Sequence, residues 1–212
     1  HRFGRSLLNY PKQVFFTGFL IVAVSSIGIW FISVEVNIIN LFKPGHEIRE
    51  STLFLDREMA GSMNLILKVE GDLKDPEVLN KMSDIQDYIS AFPTVNTTFS
   101  IADVIKEMHK SIMDNDPAYE TIPDTRGKIN NLFTMYSMSG DPDDFEALVD
   151  YEYETGLITA MMQSVSTKEI VIMADQIEVY IEEMGSEEFT TETSGMMMFL
   201  KDFTTLIVQS SI

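Results

Sequence analysis

Twenty-one consecutive residues, Val14 to Val34 (VFFTGFLIVAVSSIGIWFISV), carry no charge, and no other stretch constrains the chain as strongly. A helix rises about 1.5 Å per residue and needs roughly 20 apolar residues to cross a bilayer, so the run predicts a transmembrane helix over 14–34. Gly18, Gly28 and the Ser25-Ser26 pair are tolerable there, because intrahelical bonds satisfy the backbone. Two other readings compete. A secretory signal peptide wants only about 7–15 apolar residues and a small-residue cleavage site, which Phe31-Ile32-Ser33-Val34-Glu35 does not supply. A buried core helix usually shows a polar face, and this run has none.

The flanks orient the expected span. Arg2, Arg5 and Lys12 precede it with no acid among them; the other 12 of the 15 basic residues and all 33 acidic ones follow it. The positive-inside rule then expects residues 1–13 as a cytoplasmic or interfacial lead-in. The chain from Glu35 onward would lie outside, periplasmic or extracellular, at the cell (inner) membrane with the lipid bilayer as partner. Phe3, Leu7 and Leu8 of the lead-in would touch lipid. The absence of an initial methionine suggests a segment of a longer chain. The acidic balance argues against nucleic acid, which selects basic surfaces, and against lying on anionic headgroups. With no cysteine in the chain, disulfides, thiol catalysis and thiolate metal sites are excluded together.

Residues 35–61 form a connecting segment, with a turn at Lys43-Pro44-Gly45 and a short helix between His46 and Met59. His46 beside Glu47 is a weak metal pair without a second histidine nearby, and solvation is the better account. An extracytoplasmic domain is expected over 62–197. Ser62–Val69 alternates Met63, Leu65, Leu67 and Val69 on one face, the period of a strand. Asp75-Pro76 supplies a capping acid before a first-turn proline, and Val78, Leu79, Met82, Ile85, Ile89 and Phe92 recur at helical spacing. Pro93 stops that helix, and the β-branched Val95–Ser100 reads as a second strand. The order then repeats. Leu157–Met162 reads as a strand, Ser166 and Glu169 make a capping box, Ile170 to Met184 carries a helical stripe, and Phe189–Thr193 closes the unit. Two strand–helix–strand units predict an α+β fold, a ferredoxin-like (split βαβ) sandwich with both helices on one face of a four-stranded sheet.

A helical insertion is expected at about 100–154, between the two units. Ser100-Ile101-Ala102-Asp103 opens one helix through Met113, and Thr121-Ile122-Pro123-Asp124 opens another with Ile129, Leu132, Phe133 and Tyr136 on its apolar face. Gly140-Asp141-Pro142 starts a third, and Asp114-Asn115-Asp116-Pro117 is a loop. From residue 198 to 212 the chain turns apolar but for Lys201 and Asp202, which reads as the start of the next transmembrane helix. The alternative is a final helix packed on the preceding domain.

Sequence motifs for chemistry are sparse. The acids Asp141, Asp143, Asp144, Glu146, Asp150, Glu152 and Glu154 lack the spacing of a calcium loop and read as a solvated face. Fourteen methionines raise a soft-metal relay, but methionine more often serves as adaptable packing. Asn96-Thr97-Thr98 is a glycosylation sequon, meaningful only in a eukaryote. No Ser/His/Asp set, carboxylate pair or phosphate loop stands out, so no enzyme, no cofactor and no metal are expected.

The basic LLNYPKQ lead-in, the span, VEVNIINLFKPGHEIRES and GSMNLILKVEGDLKDPEVLNKMSDIQDYI together resemble exporters of the resistance-nodulation-division superfamily, in the MMPL-like, hydrophobe/amphiphile branch. FPTVNTTFSIADVIKEMHK and IPDTRGKINNLF are similar to the segments after its first helix. The resemblance implies one opening span and one porter domain of a two-repeat, proton-driven exporter, most similar to the second repeat. It implies hydrophobic, amphiphilic or lipid-like substrates, and as partners the remaining repeat and other protomers. The substrate-lining candidates are Phe133, Tyr136, Met161, Met162, Phe189 and Met196, chosen near strand ends and on the insertion. The rival reading is the ligand-binding domain of a membrane sensor.

Overall fold

The computed structural model describes residues 11–29, 38–139 and 147–210. The chain divides into two units, residues 1–34 and residues 35–212. In the first, helix α1 runs Pro11–Ile29. Its apolar part, Val14 to Ile29, is about 16 residues or roughly 24 Å long, short of the roughly 30 Å of a hydrocarbon core. No helix among the described residues is long and apolar enough to cross a membrane. The expected span over 14–34 is corrected on that ground, and Trp30–Val34 lie outside the described residues. The bilayer as partner and the inner-membrane, outward-facing localisation rested on that span and are withdrawn with it.

In the second unit, α2 (Ile38–Leu41) and α3 (Glu47–Glu58) precede the sheet. His46 caps α3, its Nδ1 accepting the Ile48 amide at 3.3 Å, which assigns the ring a structural task. Asp56 ties α3 to two strand ends, one carboxylate oxygen accepting the Ser62 amide at 2.9 Å and the other the Ser164 amide at 3.1 Å.

Strand β1 (Met63–Glu70) buries Met63, Leu65, Leu67 and Val69 and turns the intervening residues to its other face. Asp75 accepts the Glu77 amide at 2.8 Å and Pro76 begins α4 (Pro76–Ser90), whose Val78, Leu79, Met82, Ile85 and Ile89 cover the buried face of the strands. Strand β2 (Val95–Ser100) follows, with a register shift between Val95 and Thr97. Then come α5 (Ile101–Ile112), a 3-10 turn (Pro117–Tyr119) and α6 (Arg126–Ser139). The second strand–helix–strand repeat contributes β3 (Thr155–Met162), α7 (Thr167–Met184) and β4 (Thr190–Ser194). All pairings among the described residues are antiparallel, and the sheet order is β2-β3-β1-β4, so the strands of one strand–helix–strand repeat are interleaved with those of the other.

Gly61 holds the approach to β1 with φ +119°, and a Cβ there would collide with the Met162 carbonyl, so only glycine fits. The last helix, α8 (Met196–Ser210), buries Met197 and Met198 and packs on α7 and β1. Lys201 reaches Asp175 of α7 at 2.8 Å and pairs with Glu178. Burial pulls the Lys201 ammonium down, but its hydrogen bonds to Asp175 and Glu178 outweigh that and raise it. The stretch expected to open a second span is thus, where described, a helix fastened to α7.

The expected class, α+β with an N-terminal transmembrane helix followed by a porter domain, is corrected to a mixed α/β body with a four-stranded antiparallel sheet and no transmembrane helix among the described residues. Gly140 to Glu146, the expected start of a third insertion helix with Asp141, Asp143 and Asp144, lies outside the described residues.

Candidate functional site

An apolar concavity of the second unit lies between α5 and α6. Helix α5 begins with a capping box: the Ser100 hydroxyl accepts the Ala102 amide at 3.0 Å, and Asp103 Oδ2 accepts the Ser100 amide at 2.9 Å. It ends at Ile112. Asp114 and Asn115 then take φ of +57° and +59°, the left-handed conformation that short polar side chains tolerate best after glycine. Asp116 accepts the Ala118 amide at 2.9 Å and opens the 3-10 turn. Thr121 to Asp124 crosses back with Pro123 buried beneath it, and α6 follows, with Lys128 bonded to Asp124 one turn earlier.

These elements enclose a groove of about 470 Å³, within the range of pockets that hold ligands. Leu132 and Ile122 form its floor, and Ile112, Met113 and Tyr119 stand at the rim as exposed apolar side chains. Ile112 is 51% exposed, a large apolar group left in water at the end of a helix whose Ile101, Ala102 and Ile105 are buried. His109 lies in the wall. Its Nδ1 is 2.8 Å from the Thr121 carbonyl oxygen, and a carbonyl only accepts, so that nitrogen carries the proton. The ring meets Tyr119 edge to face, with centroids 5.5 Å apart. The charges follow the rim. A hydrogen bond from Lys128 holds the Asp124 carboxyl below its ordinary range, and hydrogen bonds to Glu120 and Glu107 raise Lys110.

Two further clefts are present among the described residues. Phe99, Val104, Met108 and Tyr136 line a space of about 460 Å³, and Glu70, Asp72, Arg126, Glu152 and Glu154 a polar one of about 430 Å³, where Arg126 pairs with Asp72. Among the described residues, no group of His, Cys, Asp and Glu is placed to hold a metal ion.

The six residues expected to line a substrate site are dispersed. Phe133 is buried against Tyr153, with ring centroids 4.5 Å apart. Tyr136, one turn on, lines the cleft with Phe99. Met162 is buried in the core, while Met161 points to the opposite face of β3, paired in register with Asn64. Met196 is exposed, and its amide donates to Asn64 Oδ1 at 3.0 Å, so Met161 and Met196 share a neighbour. Phe189 is buried beside Thr190, which pairs with Glu70 at the far end of β1, roughly 20 Å from Met63 by strand rise. Only the Met161–Met196 pair converges.

The groove residues Ile112, Met113, Tyr119 and Ile122 were not singled out by the sequence patterns. A signal existed: apolar residues closely bracketing the acidic loop Asp114-Asn115-Asp116, where a solvated loop has no use for them.

Comparison with protein-family models and with curated proteins finds no match. The resemblance to resistance-nodulation-division exporters is therefore corrected. It required an opening membrane span, which no helix among the described residues provides, and no family model supports it. The exporter function, its lipid-like substrates, the transporter repeat as partner and the membrane-sensor alternative fall with that span.

Proposed function

We propose that this chain is a non-catalytic binding module that docks a segment of a protein partner in the groove between α5 and α6. The observation that supports this reading is the rim, where Ile112, Met113 and Tyr119 are held exposed around a floor of Leu132 and Ile122. Large apolar side chains gathered around a concavity are a mark of interaction surfaces. Methionine adds a flexible, polarisable contact that adapts to varied side chains. The arrangement favours binding over catalysis, because His109 is committed to a backbone carbonyl and to the Tyr119 ring.

The test is selection of a random 16-residue peptide library on the immobilised 212-residue chain, with the Ile112→Ser variant as counter-target. Enriched peptides that bind the variant at least tenfold more weakly support the reading. A library yielding no binders, or binders indifferent to Ile112→Ser, overturns it.

A further inference from the structure

The groove's occupant can be specified from the chemistry of its walls and rim, an inference that rests on the binding reading above. We infer that it accepts a basic amphipathic helix, apolar side chains inward and Lys or Arg outward.

Backbone accounting decides the conformation. The walls are α5, the 3-10 turn, the crossing Thr121–Asp124 and α6. The helical and turn amides and carbonyls are largely spent on their own elements, as where the Asn115 amide donates to the Lys110 carbonyl at 3.0 Å; in the crossing, Pro123 has no amide hydrogen and the Thr121 carbonyl accepts His109 Nδ1. The strands lie outside this groove, so no sheet edge is offered to an incoming chain. An extended segment laid on Leu132 and Ile122 would leave buried backbone groups unpaired, and each such group is costly. A helix satisfies its own backbone and presents apolar side chains at i, i+3, i+4 and i+7, the pattern recognised by apolar grooves.

Charge decides the polar face. The chain carries a formal net charge of −18. Around this groove, Asp114, Asp116, Glu120 and Asp124 stand on the loop and turn that form one lip. Lys110 is engaged by Glu107 and Glu120, and Lys128 by Asp124. Among the described residues Asp114 and Asp116, both exposed, enter no ion pair; Asp116 Oδ1 accepts the Ala118 amide, but the charge of each carboxylate is left without a cation beside exposed Met113. Lys or Arg flanking an apolar stripe would meet them, whereas an acidic helix would be repelled by the lip and by the field of the whole chain.

The experiment uses a labelled 18-residue Leu/Lys amphipathic helix as probe, a Leu/Glu helix of the same pattern, and a Leu/Lys peptide of scrambled order. Fluorescence anisotropy with the full chain is the readout. The expected result is micromolar binding of the Leu/Lys helix, at least tenfold weaker for the other two peptides. Ile112→Ser or Met113→Ser should weaken the Leu/Lys helix tenfold or more, as should raising salt from 50 to 300 mM. Equal binding of Leu/Glu and Leu/Lys helices, both sensitive to Ile112→Ser, would overturn the basic partner and keep the groove. Binding of the scrambled peptide equal to the ordered one would overturn the helix. Leu/Lys binding indifferent to both rim variants would place it elsewhere on the acidic surface and overturn the groove reading itself.

Discussion

Among the described residues, two capping boxes share the same local chemistry in different surroundings, and removing each serine should separate the value of a cap from the value of the network behind it. Ser166 caps α7 at the surface: its hydroxyl accepts the Glu169 amide at 3.3 Å, and Glu169 Oε2 accepts the Ser166 amide at 3.0 Å. Water can replace the serine there, so Ser166→Ala should cost about 1 kcal/mol. Ser100 is fully buried. Its hydroxyl caps α5 and also donates to Gln86 Oε1, while Gln86 Nε2 donates to Asp103 at 2.7 Å. Ser100→Ala loses a similar cap, about 1 kcal/mol, and strands a buried amide oxygen, about 2 kcal/mol more. With a urea m-value of about 2 kcal/mol/M, the midpoint should fall by about 1.5 M for Ser100→Ala and about 0.5 M for Ser166→Ala, followed by circular dichroism. Adding Gln86→Leu to Ser100→Ala should recover part of the loss, because no stranded oxygen remains. Equal shifts for the two single variants would refute the dependence of Gln86 on Ser100.

Three further outcomes follow from named contacts. The Ser166 hydroxyl and amide hold Glu169 below the ordinary glutamate value of 4.5, so its contribution is present above that pH and lost as pH falls through the lower folded value. Ser166→Ala should therefore flatten the acid limb of stability below pH 4.5 in urea titrations. Lys201, raised by Asp175 and Glu178, contributes below 10.5, the ordinary lysine value, and loses that contribution as pH rises through its higher folded value. At neutral pH, Lys201→Met should speed amide exchange across α8 about tenfold, roughly 1.4 kcal/mol, while β1 amides stay unchanged. Gly61→Ala, at φ +119° against the Met162 carbonyl, should cost about 2 kcal/mol or more, read by the same urea titration.

The elements that sequence reveals best are those in which local pattern and burial agree. Met63, Leu65, Leu67 and Val69 alternate because one face of β1 is sealed by helices, and Asp75-Pro76 and Ser166–Glu169 mark helix starts because capping needs only neighbours three residues away. Hydropathy fails where direction matters. The apolar run after Gly195 looks like membrane material, yet Met197 and Met198 spend their apolar atoms on the protein interior and Lys201 anchors the helix to α7. The run from Val14 counts as span-length only if the helix continues past Ile29. Met161 and Met162 illustrate the site problem: adjacent strand residues face opposite sides, so apolar character at a strand end does not say which one is accessible. Phe133 and Phe189 are aromatic because the core needs volume, and both are buried. The groove stayed hidden because it exists only once the end of α5 and the start of α6 are brought together.

That assembly also separates folding from binding. The interior that holds the two strand–helix–strand units together consists of side chains such as Leu65, Leu67, Ile158 and Ile177, none of which lines the groove. The rim residues stand on the insertion and remain largely in water, so polar replacements forfeit little burial. For Ile112, half exposed, Ile112→Ser should cost about 1 kcal/mol or less, against about 2–5 kcal/mol for truncating a fully buried core side chain such as Leu67→Ala. Met113→Ser should behave likewise. Both variants should keep the circular dichroism spectrum and a urea midpoint within about 0.5 M of the parent, while losing at least tenfold in affinity for the Leu/Lys helix. A rim variant that lost binding only in proportion to a large fall in midpoint would show that these side chains are supports of the fold. Loss of binding at unchanged stability would show that they are held exposed for a partner.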